Sequence, residues 1–347
     1  MRKKELAAAI EQWRLFYESK GIKQELTDAY ILYASPLLEK GIPVIFDFDH
    51  LSLLLQLEKV LLGAMINAPD SFYRHFTIPK RSGGLRAIDA PYPSLRYVQT
   101  WIYKNILSKI PVHGCSHGFV EKRSILSNVK PHLGKRYMLK IDLKDFFPSI
   151  TINQVIQVFK SLGYSSEVAF YLASLCCREK VLPQGSPASP AISNIVAKYL
   201  DRRLYRLAKS FGYVYTRYAD DIAFSGDVIP TTFIKYVTNI VTDCGFTINK
   251  NKVRLYGESG NKILTGISLA GDKPRIPRDY RRSLEKELFY IKKFGFNAHV
   301  SHMKIRRYNY LESVIGRVDF WRMVEPDNRI ASEMSKYLHE EFKKRIG

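Results

Sequence analysis

The sequence predicts an α+β fold. Three features point to it: a helical pattern over residues 1 to about 70, another from Arg278 onward, and between them short apolar strands joined as hairpins rather than as strand–helix–strand repeats. Leu51 to Ile66 is the richest apolar stretch. Glu58 and Lys59 break it, so it reads as a buried amphipathic helix, and no run is long enough to span a bilayer. Ile78 to Pro91 reads as a β-hairpin turned by Ser82-Gly83-Gly84, and Tyr97 to Leu107 as a helix. Tyr137 to Asp142 is a short, mostly apolar strand ending in an acid, and Thr151 to Leu162 and Ser165 to Cys177 are helices. Leu182 to Pro190 is a loop, with Ser189 as N-cap of a helix from about Ala191 to Ser210 and Pro190 tolerated at its first position. Gly212 to Phe224 is a hairpin with Ala219-Asp220-Asp221 at its tip, and Thr231 to Cys244 a helix. Val253 to Tyr256 and Ile263 to Ile267 form a further hairpin around Glu258 to Asn261, and the C-terminal helices break near Gly295 and Pro326.

Charge is the unusual part of the composition. The 347 residues carry 54 Lys and Arg against 33 Asp and Glu, a net charge of +21, which predicts affinity for a polyanion, either nucleic acid or an anionic membrane. The length suits two or three subdomains. The N-terminal Met1-Arg2-Lys3-Lys4-Glu5 lacks the apolar segment of a signal peptide. Cys115, Cys176, Cys177 and Cys244 show no CxxC spacing and read as buried thiols rather than a zinc site or disulfide framework, which fits a reducing cytoplasm.

Three acids stand out. Asp142 ends one strand, and Asp220 and Asp221 sit at a hairpin tip. Neighbouring side chains on a regular strand point to opposite faces, but a tip relaxes that rule, and Asp142 and Asp220 can converge if the two elements are adjacent in a sheet. Alone, Asp220-Asp221 reads as a polar turn, because Asp is favoured there. The apolar flanks Tyr218-Ala219 and Ile222-Ala223-Phe224 place the acids at the edge of a core, where uncompensated charge is costly. Converging carboxylates repel one another unless a cation neutralises them. Mg²⁺ takes oxygen ligands and keeps substrate phosphates in its shell, and two such ions perform in-line phosphoryl transfer, the chemistry of polymerases and nucleases.

The sequence here resembles the reverse transcriptases, and within them the bacterial retron group. Tyr218-Ala219-Asp220-Asp221 is similar to the family's catalytic hairpin. Ile141-Asp142-Leu143-Lys144-Asp145-Phe146-Phe147-Pro148-Ser149 is similar to the motif holding its first metal-binding acid. Leu182-Pro183-Gln184-Gly185-Ser186-Pro187 is similar to the loop beneath the nascent base pair. The resemblance spans roughly Phe72 to the C-terminus. It implies a right-hand polymerase fold with fingers, a palm of antiparallel sheet plus helices, and a helical thumb. It divides the chain into an N-terminal helical region (1–70), fingers (71–136), palm (137–270, with finger insertions around 150–185) and an RNA-binding thumb (271–347).

The same resemblance assigns roles. Asp142, Asp220 and the carbonyl of Leu143 would bind two Mg²⁺ ions, with Asp221 supporting and Mn²⁺ able to substitute. Phe147 would lie under the sugar and exclude a 2′-hydroxyl, and Gln184 and Gly185 would line the nucleotide pocket, glycine allowing close backbone approach. Lys80 and Arg86 align with the triphosphate-binding cations, a role suited to a fork-shaped guanidinium. Lys252, ending Asn249-Lys250-Asn251-Lys252, would protonate leaving pyrophosphate. Arg123 is a candidate template or phosphate contact. Asn128-Val129-Lys130-Pro131-His132 is similar to the retron pattern Asn-Ala-x-x-His, making Asn128 and His132 RNA-binding candidates, and Leu264-Thr265-Gly266 is similar to its Val-Thr-Gly.

From Arg278 to Arg307, nine Lys or Arg stand against three acids, interleaved with Tyr280, Phe289, Tyr290, Phe294 and Phe296. Cations track phosphates and rings stack on unpaired bases, so Arg278, Arg281, Arg282, Lys292, Lys293, Lys304, Arg306 and Arg307 are expected to contact RNA. The aromatics read first as a core face. The resemblance therefore implies a retron-type RNA-directed DNA polymerase. Its substrates would be deoxynucleoside triphosphates, and its partners a cognate structured noncoding RNA, the RNA–DNA hybrid product and an effector protein for phage defence. Other bacterial reverse transcriptases (group II intron, diversity-generating or CRISPR-associated) and a non-catalytic RNA-binding subunit are the alternatives. The intact acids argue against the last.

Overall fold

A computed structural model of the chain describes residues 3–80 and 83–346. It opens with four helices: α1 (Lys3–Ser19), α2 (Gln24–Glu39), α3 (Phe48–Leu55) and α4 (Lys59–Asn67). The Leu51 to Ile66 stretch is thus two helices rather than one. Gln56 turns left-handed at φ 54°, and Ser52 Oγ donates to the Leu57 carbonyl across the break. Leu37, Leu51, Leu55 and Leu62 join the same apolar core as the strands and helices that follow. Lys40 Nζ on the Leu162 carbonyl (2.9 Å) and Tyr164 Oη on the Pro43 carbonyl (2.8 Å) tie this region to the middle of the chain.

Strands β1 (Tyr73–Pro79) and β2 (Leu85–Pro91) form the expected antiparallel hairpin, in register from Tyr73↔Pro91 to Pro79↔Leu85. Of its expected turn residues, Ser82 lies outside the described residues. Gly83 and Gly84 both have positive φ, as so tight a connection requires. Helices α5 (Pro93–Asn105) and α6 (Ile125–Val129) follow, then β3 (Tyr137–Asp142), α7 (Ile152–Leu162) and α8 (Ser166–Cys176). Helix α7 shows why these segments fold as they do. Thr151 and Gln154 close a capping box, Val155, Val158, Phe159 and Leu162 form one buried stripe, and Gly163 ends the helix left-handed.

The expected helix from Ala191 to Ser210 is two, α9 (Ser189–Val196) and α10 (Lys198–Ser210), because Ala197 leaves the helical pattern at ψ −3°. Ser189 is not the cap. Ala188 holds that position, and Ser189 Oγ instead donates to the Pro183 carbonyl at 2.7 Å, bracing the preceding loop. Next come β4 (Val214–Tyr218), β5 (Asp221–Gly226), α11 (Thr231–Asp243), β6 (Arg254–Tyr256), β7 (Ile263–Leu264) and β8 (Ile267–Ser268). The chain closes with α12 (Arg278–Phe294), α13 (Phe296–His302), α14 (Tyr310–Val324) and α15 (Arg329–Ile346).

The central sheet has the order β4-β5-β3-β6, all antiparallel. The expected hairpin between Val253–Tyr256 and Ile263–Ile267 does not form. Strand β6 pairs with β3 at the sheet edge, while β7 turns directly into β8 through Thr265 and Gly266, both at positive φ as a two-residue hairpin turn demands. Period-two alternation splits the sheet between two cores. Leu139, Ile141, Ile222 and Phe224 face the main core, whereas Met138 and Ala223 join the C-terminal helices. The four cysteines are free thiols; Cys176 and Cys177 are buried as expected, whereas Cys115 and Cys244 are only partly so. Among the described residues no helix is long and apolar enough to cross a membrane.

Candidate active site

Strands β3 and β5 are neighbours, so the condition for convergence of the acids is met. The register sets Asp142 opposite Asp221. Opposed residues on antiparallel strands project to one face, here the face of Met138 and Ala223. Asp220 lies in the two-residue turn between β4 and β5, after Ala219 at φ 56°. The Leu143 N–H donates to the Asp220 carbonyl at 2.9 Å, pinning the turn to the end of β3. Gly118 packs beneath it: a Cβ there would lie 2.6 Å from the Ala219 nitrogen.

The electrostatics are those of crowded carboxylates. Burial, then the charges of Asp221 and Asp142, push the Asp220 acid from 3.8 to about 6. Burial also raises Asp221, opposed by Lys140, whose Nζ lies 3.2 Å from Asp221 Oδ1. Lys252 Nζ lies 2.9 Å from Asp142 Oδ1, and Asn249 Nδ2 donates to Asp142 Oδ2 at 3.3 Å. That hydrogen bond and the surrounding acids hold the Lys252 ammonium above its usual range. Lys140 had gone unremarked in the sequence. Its position two residues before Asp142 on a strand was the signal for a shared face.

The donor chemistry suits a hard divalent cation. At the acids themselves, the Asp142, Asp220 and Asp221 carboxylates and the Leu143 carbonyl supply oxygen donors; the cleft's one histidine, His75, lies against Asp89 instead. Among the described residues no group of three or more His, Cys, Asp or Glu is already drawn together as ligands, and Asp142 and Asp221 each pair with a lysine.

These acids line a cleft of about 1120 Å³. Lys80 and Arg86 of the β1–β2 hairpin line it too, both exposed, and Gln184 and Phe147 form further wall. Phe147 is half-buried, its ring centroid 5.6 Å from Phe146 and 6.3 Å from Phe119. Gly185 has a reason to be glycine within the protein itself. Its close approach is to Asp89 of β2, whose carbonyl would lie 2.5 Å from a Cβ, with φ at 139°. The Asp89 N–H donates to the Gln184 carbonyl at 2.9 Å, so loop and hairpin form one wall. Arg178, paired with Asp89, and His75, 2.8 Å from the same carboxylate, also line the cleft and carried no motif in the sequence.

Other candidates lie elsewhere. Asn128 and His132 are each 1% exposed, so neither offers a surface to RNA. His132 Nδ1 and Nε2 instead lie 2.7 Å from Ser225 Oγ and 2.8 Å from Thr216 Oγ1, bridging β4 and β5, and burial lowers the imidazole to about 3, leaving it neutral. Arg123 is half-buried, with Nη1 spent on the carbonyls of His113, Gly114 and Ser116. Arg278, Arg282, Lys292 and Lys293 of α12, and Lys304, Arg306 and Arg307 of the connection between α13 and α14, are exposed. Arg281 is tied to Glu285 at 2.8 Å and lies 5.5 Å over the Trp321 ring, a packing role.

The profile of the family described as reverse transcriptase (RNA-dependent DNA polymerase) matches residues 78–269, more than half of the chain and the whole of this cleft's catalytic sheet. The chain belongs to the reverse transcriptase family. It is 33% identical to the retron Ec86 reverse transcriptase of Escherichia coli over 268 residues, 76% of this chain and 83% of that protein. It is 40% identical to the retron Mx65 reverse transcriptase of Myxococcus xanthus over 235 residues, 60% of this chain but only 55% of the relative. A solved foamy viral protease–reverse transcriptase in complex with double-stranded DNA superposes on 78% of this chain and 39% of its own, at 17% identity and a TM-score of 0.44. The reverse transcriptase described here is thus a retron-type RNA-directed DNA polymerase, a nucleotidyltransferase with the right-hand fold, from a family that generally uses divalent metal ions.

Proposed function

We propose that this reverse transcriptase copies part of its own structured noncoding RNA into multicopy single-stranded DNA that stays joined to the RNA, starting from a guanosine 2′-hydroxyl. The observation that carries the polymerase chemistry is the juxtaposition of Asp142, Asp220 and Asp221 on one cleft wall, with Lys80 and Arg86 lining the same cleft. The likeness to retron reverse transcriptases supports the retron type alone, and the product and self-templating are inferred from that type.

In this reading Asp142, Asp220 and the Leu143 carbonyl hold Mg²⁺, with Asp221 kept in place by Lys140. Two bound ions supply a lowered pKa at the attacking hydroxyl and charge neutralisation at the leaving pyrophosphate. Lys80 and Arg86 bind the triphosphate of the incoming deoxynucleotide. Phe147 presses on the sugar face, and Gln184 underlies the base pair. Lys252 gives its proton to pyrophosphate. The exposed cations of α12 and of residues 304–307 hold the noncoding RNA. An effector protein and defence against phage complete the system in a cytoplasmic setting.

The test is extension of a primer on an RNA template with deoxynucleotides and Mg²⁺. Asp220→Asn is expected to abolish extension and leave RNA binding largely intact, and EDTA to stop the wild type. Undiminished synthesis by Asp220→Asn would overturn the assigned mechanism. Nucleic acid purified with the protein from its native operon should contain DNA linked to RNA through a 2′–5′ bond, and unlinked DNA alone would remove the retron product.

A further inference from the structure

Behind the catalytic hairpin lies a polar cluster that no motif announced. Arg217, on β4 and 0% exposed, forms a bidentate pair with Asp201 of α10: Nε to Oδ1 and Nη2 to Oδ2, both 2.7 Å. Its remaining donors reach three other places. Nη1 donates to the Ala219 carbonyl at 3.0 Å and to Asn194 Oδ1 of α9 at 3.1 Å, and Nη2 to Ser116 Oγ at 3.2 Å. The five N–H bonds of a guanidinium are therefore matched one for one. Burying such a charge without that matching would be costly.

The partners are themselves parts of the active site. Ala219 is the left-handed residue whose carbonyl leads into Asp220. Asn194 also donates from Nδ2 to the Gly118 carbonyl at 2.7 Å, and Gly118 underlies the Ala219 nitrogen. The main chain of Arg217 binds the same strip, with its N–H on the Cys115 carbonyl (2.8 Å) and its carbonyl accepting from the His117 N–H (2.7 Å). The guanidinium lies 5.8 Å from the centre of the Phe146 ring, next to Phe147. Helix α9 follows directly on the Gln184–Pro187 loop.

We propose that Arg217 is a positioning residue: from within the core it holds the metal-binding hairpin tip, the Phe146–Phe147 segment and helix α9 in one fixed register, so that the acids and the sugar-facing ring meet the same nucleotide. The inference rests on the catalytic reading of Asp142, Asp220 and Asp221. It differs from a purely stabilising ion pair in its consequences. A stabilising pair needs Asp201 alone, whereas positioning needs the further bonds to Ala219, Asn194 and Ser116. Lysine can keep a charge beside Asp201, but its three donors on one nitrogen cannot span all four partners.

The experiment uses the full chain, an RNA template with a DNA primer, and paired deoxy- and ribonucleotides. Arg217→Lys and Asn194→Ala are compared with wild type for kcat, KM, deoxy/ribo preference, thermal midpoint and RNA affinity. Displacing reacting groups by about an ångström costs on the order of 10²-fold, so kcat for Arg217→Lys is expected to fall about 10- to 100-fold, with KM changed far less. Deoxy/ribo preference should narrow, with RNA affinity unchanged. Asn194→Ala should show the same pattern more weakly, and it carries the test if Arg217→Lys does not fold. The proposal is overturned if the folded variants turn over at the wild-type rate, or if reduced activity merely tracks the unfolded fraction with preference unchanged. Failure of the wild type to extend any primer would sink the catalytic reading instead.

Discussion

Lys252 Nζ lies 2.9 Å from Asp142 Oδ1, so an ammonium rests against the acid that the family resemblance assigns to a metal ion. The lysine side chain is 55% exposed, which leaves it free to exchange that partner for another. Two consequences separate by measurement. Lys252→Met should strengthen binding of Mg²⁺ or Mn²⁺ to the protein by a few-fold, read by calorimetry, because a competing cation is gone. It should also lower kcat by about 10²-fold if Lys252 supplies the proton to pyrophosphate. Unchanged kcat would remove the acid role while leaving the competition intact.

The Asp220 acid, raised from 3.8 to about 6, predicts a pH dependence with a definite sign. An acid with a raised pKa binds its proton more tightly in the folded chain. Its contribution to stability is therefore full below 3.8 and lost as pH rises through about 6. In EDTA, Asp220→Asn should melt a few degrees above wild type at about pH 8, and the gap should narrow as pH falls through about 6 and close only below 3.8. A divalent cation should reverse the order at about pH 8, because only the wild type keeps the Asp220 carboxylate as a ligand beside Asp142. A gap independent of pH would show that the acid is not raised.

Gly185→Ala tests the wall shared by loop and hairpin. The new Cβ would meet the Asp89 carbonyl at 2.5 Å on a backbone with φ 139°. The expected cost is about 1–3 kcal/mol in denaturant unfolding, together with a raised KM for deoxynucleotides. A variant with wild-type stability and KM would mean that the loop and β2 part freely.

The C-terminal cations divide into exposed and occupied. Replacing Lys304, Arg306 and Arg307 with Gln should weaken RNA binding. It should also flatten the dependence of log K on log salt by about 0.7–0.9 for each phosphate that is no longer neutralised. Arg281→Gln is the contrast. Its guanidinium is held by Glu285 and the Trp321 ring, so thermal stability should fall while the salt slope stays. Equal slopes for wild type and the triple variant would place the RNA elsewhere.

The local features were legible in the sequence because they are local. Alternation and turn chemistry marked β1–β2 and β4–β5, helical periodicity marked α7, α8 and α11, and the three acids were named from their flanking residues. Misreadings occurred where a pattern ran through a break, as at Gln56 and Ala197, whose dihedral angles no side-chain pattern records. Strand partners were invisible for a related reason. Nothing in Arg254–Tyr256 says that it pairs with β3 rather than with Ile263–Leu264.

What the sequence by itself determined is the chemistry available: a basic chain with three acids, a glycine loop and a cation-bearing hairpin in the order of one family. The tertiary structure decided which of those residues share a space. It set Asp142 opposite Asp221, placed lysines on both, and withdrew Asn128 and His132 into the core. It also assembled Arg217 with Ser116, Asn194 and Asp201 from four separated stretches of chain. Side-chain type and period are written in neighbouring residues, but convergence depends on sheet order and helix packing, which are fixed by burial across the whole molecule.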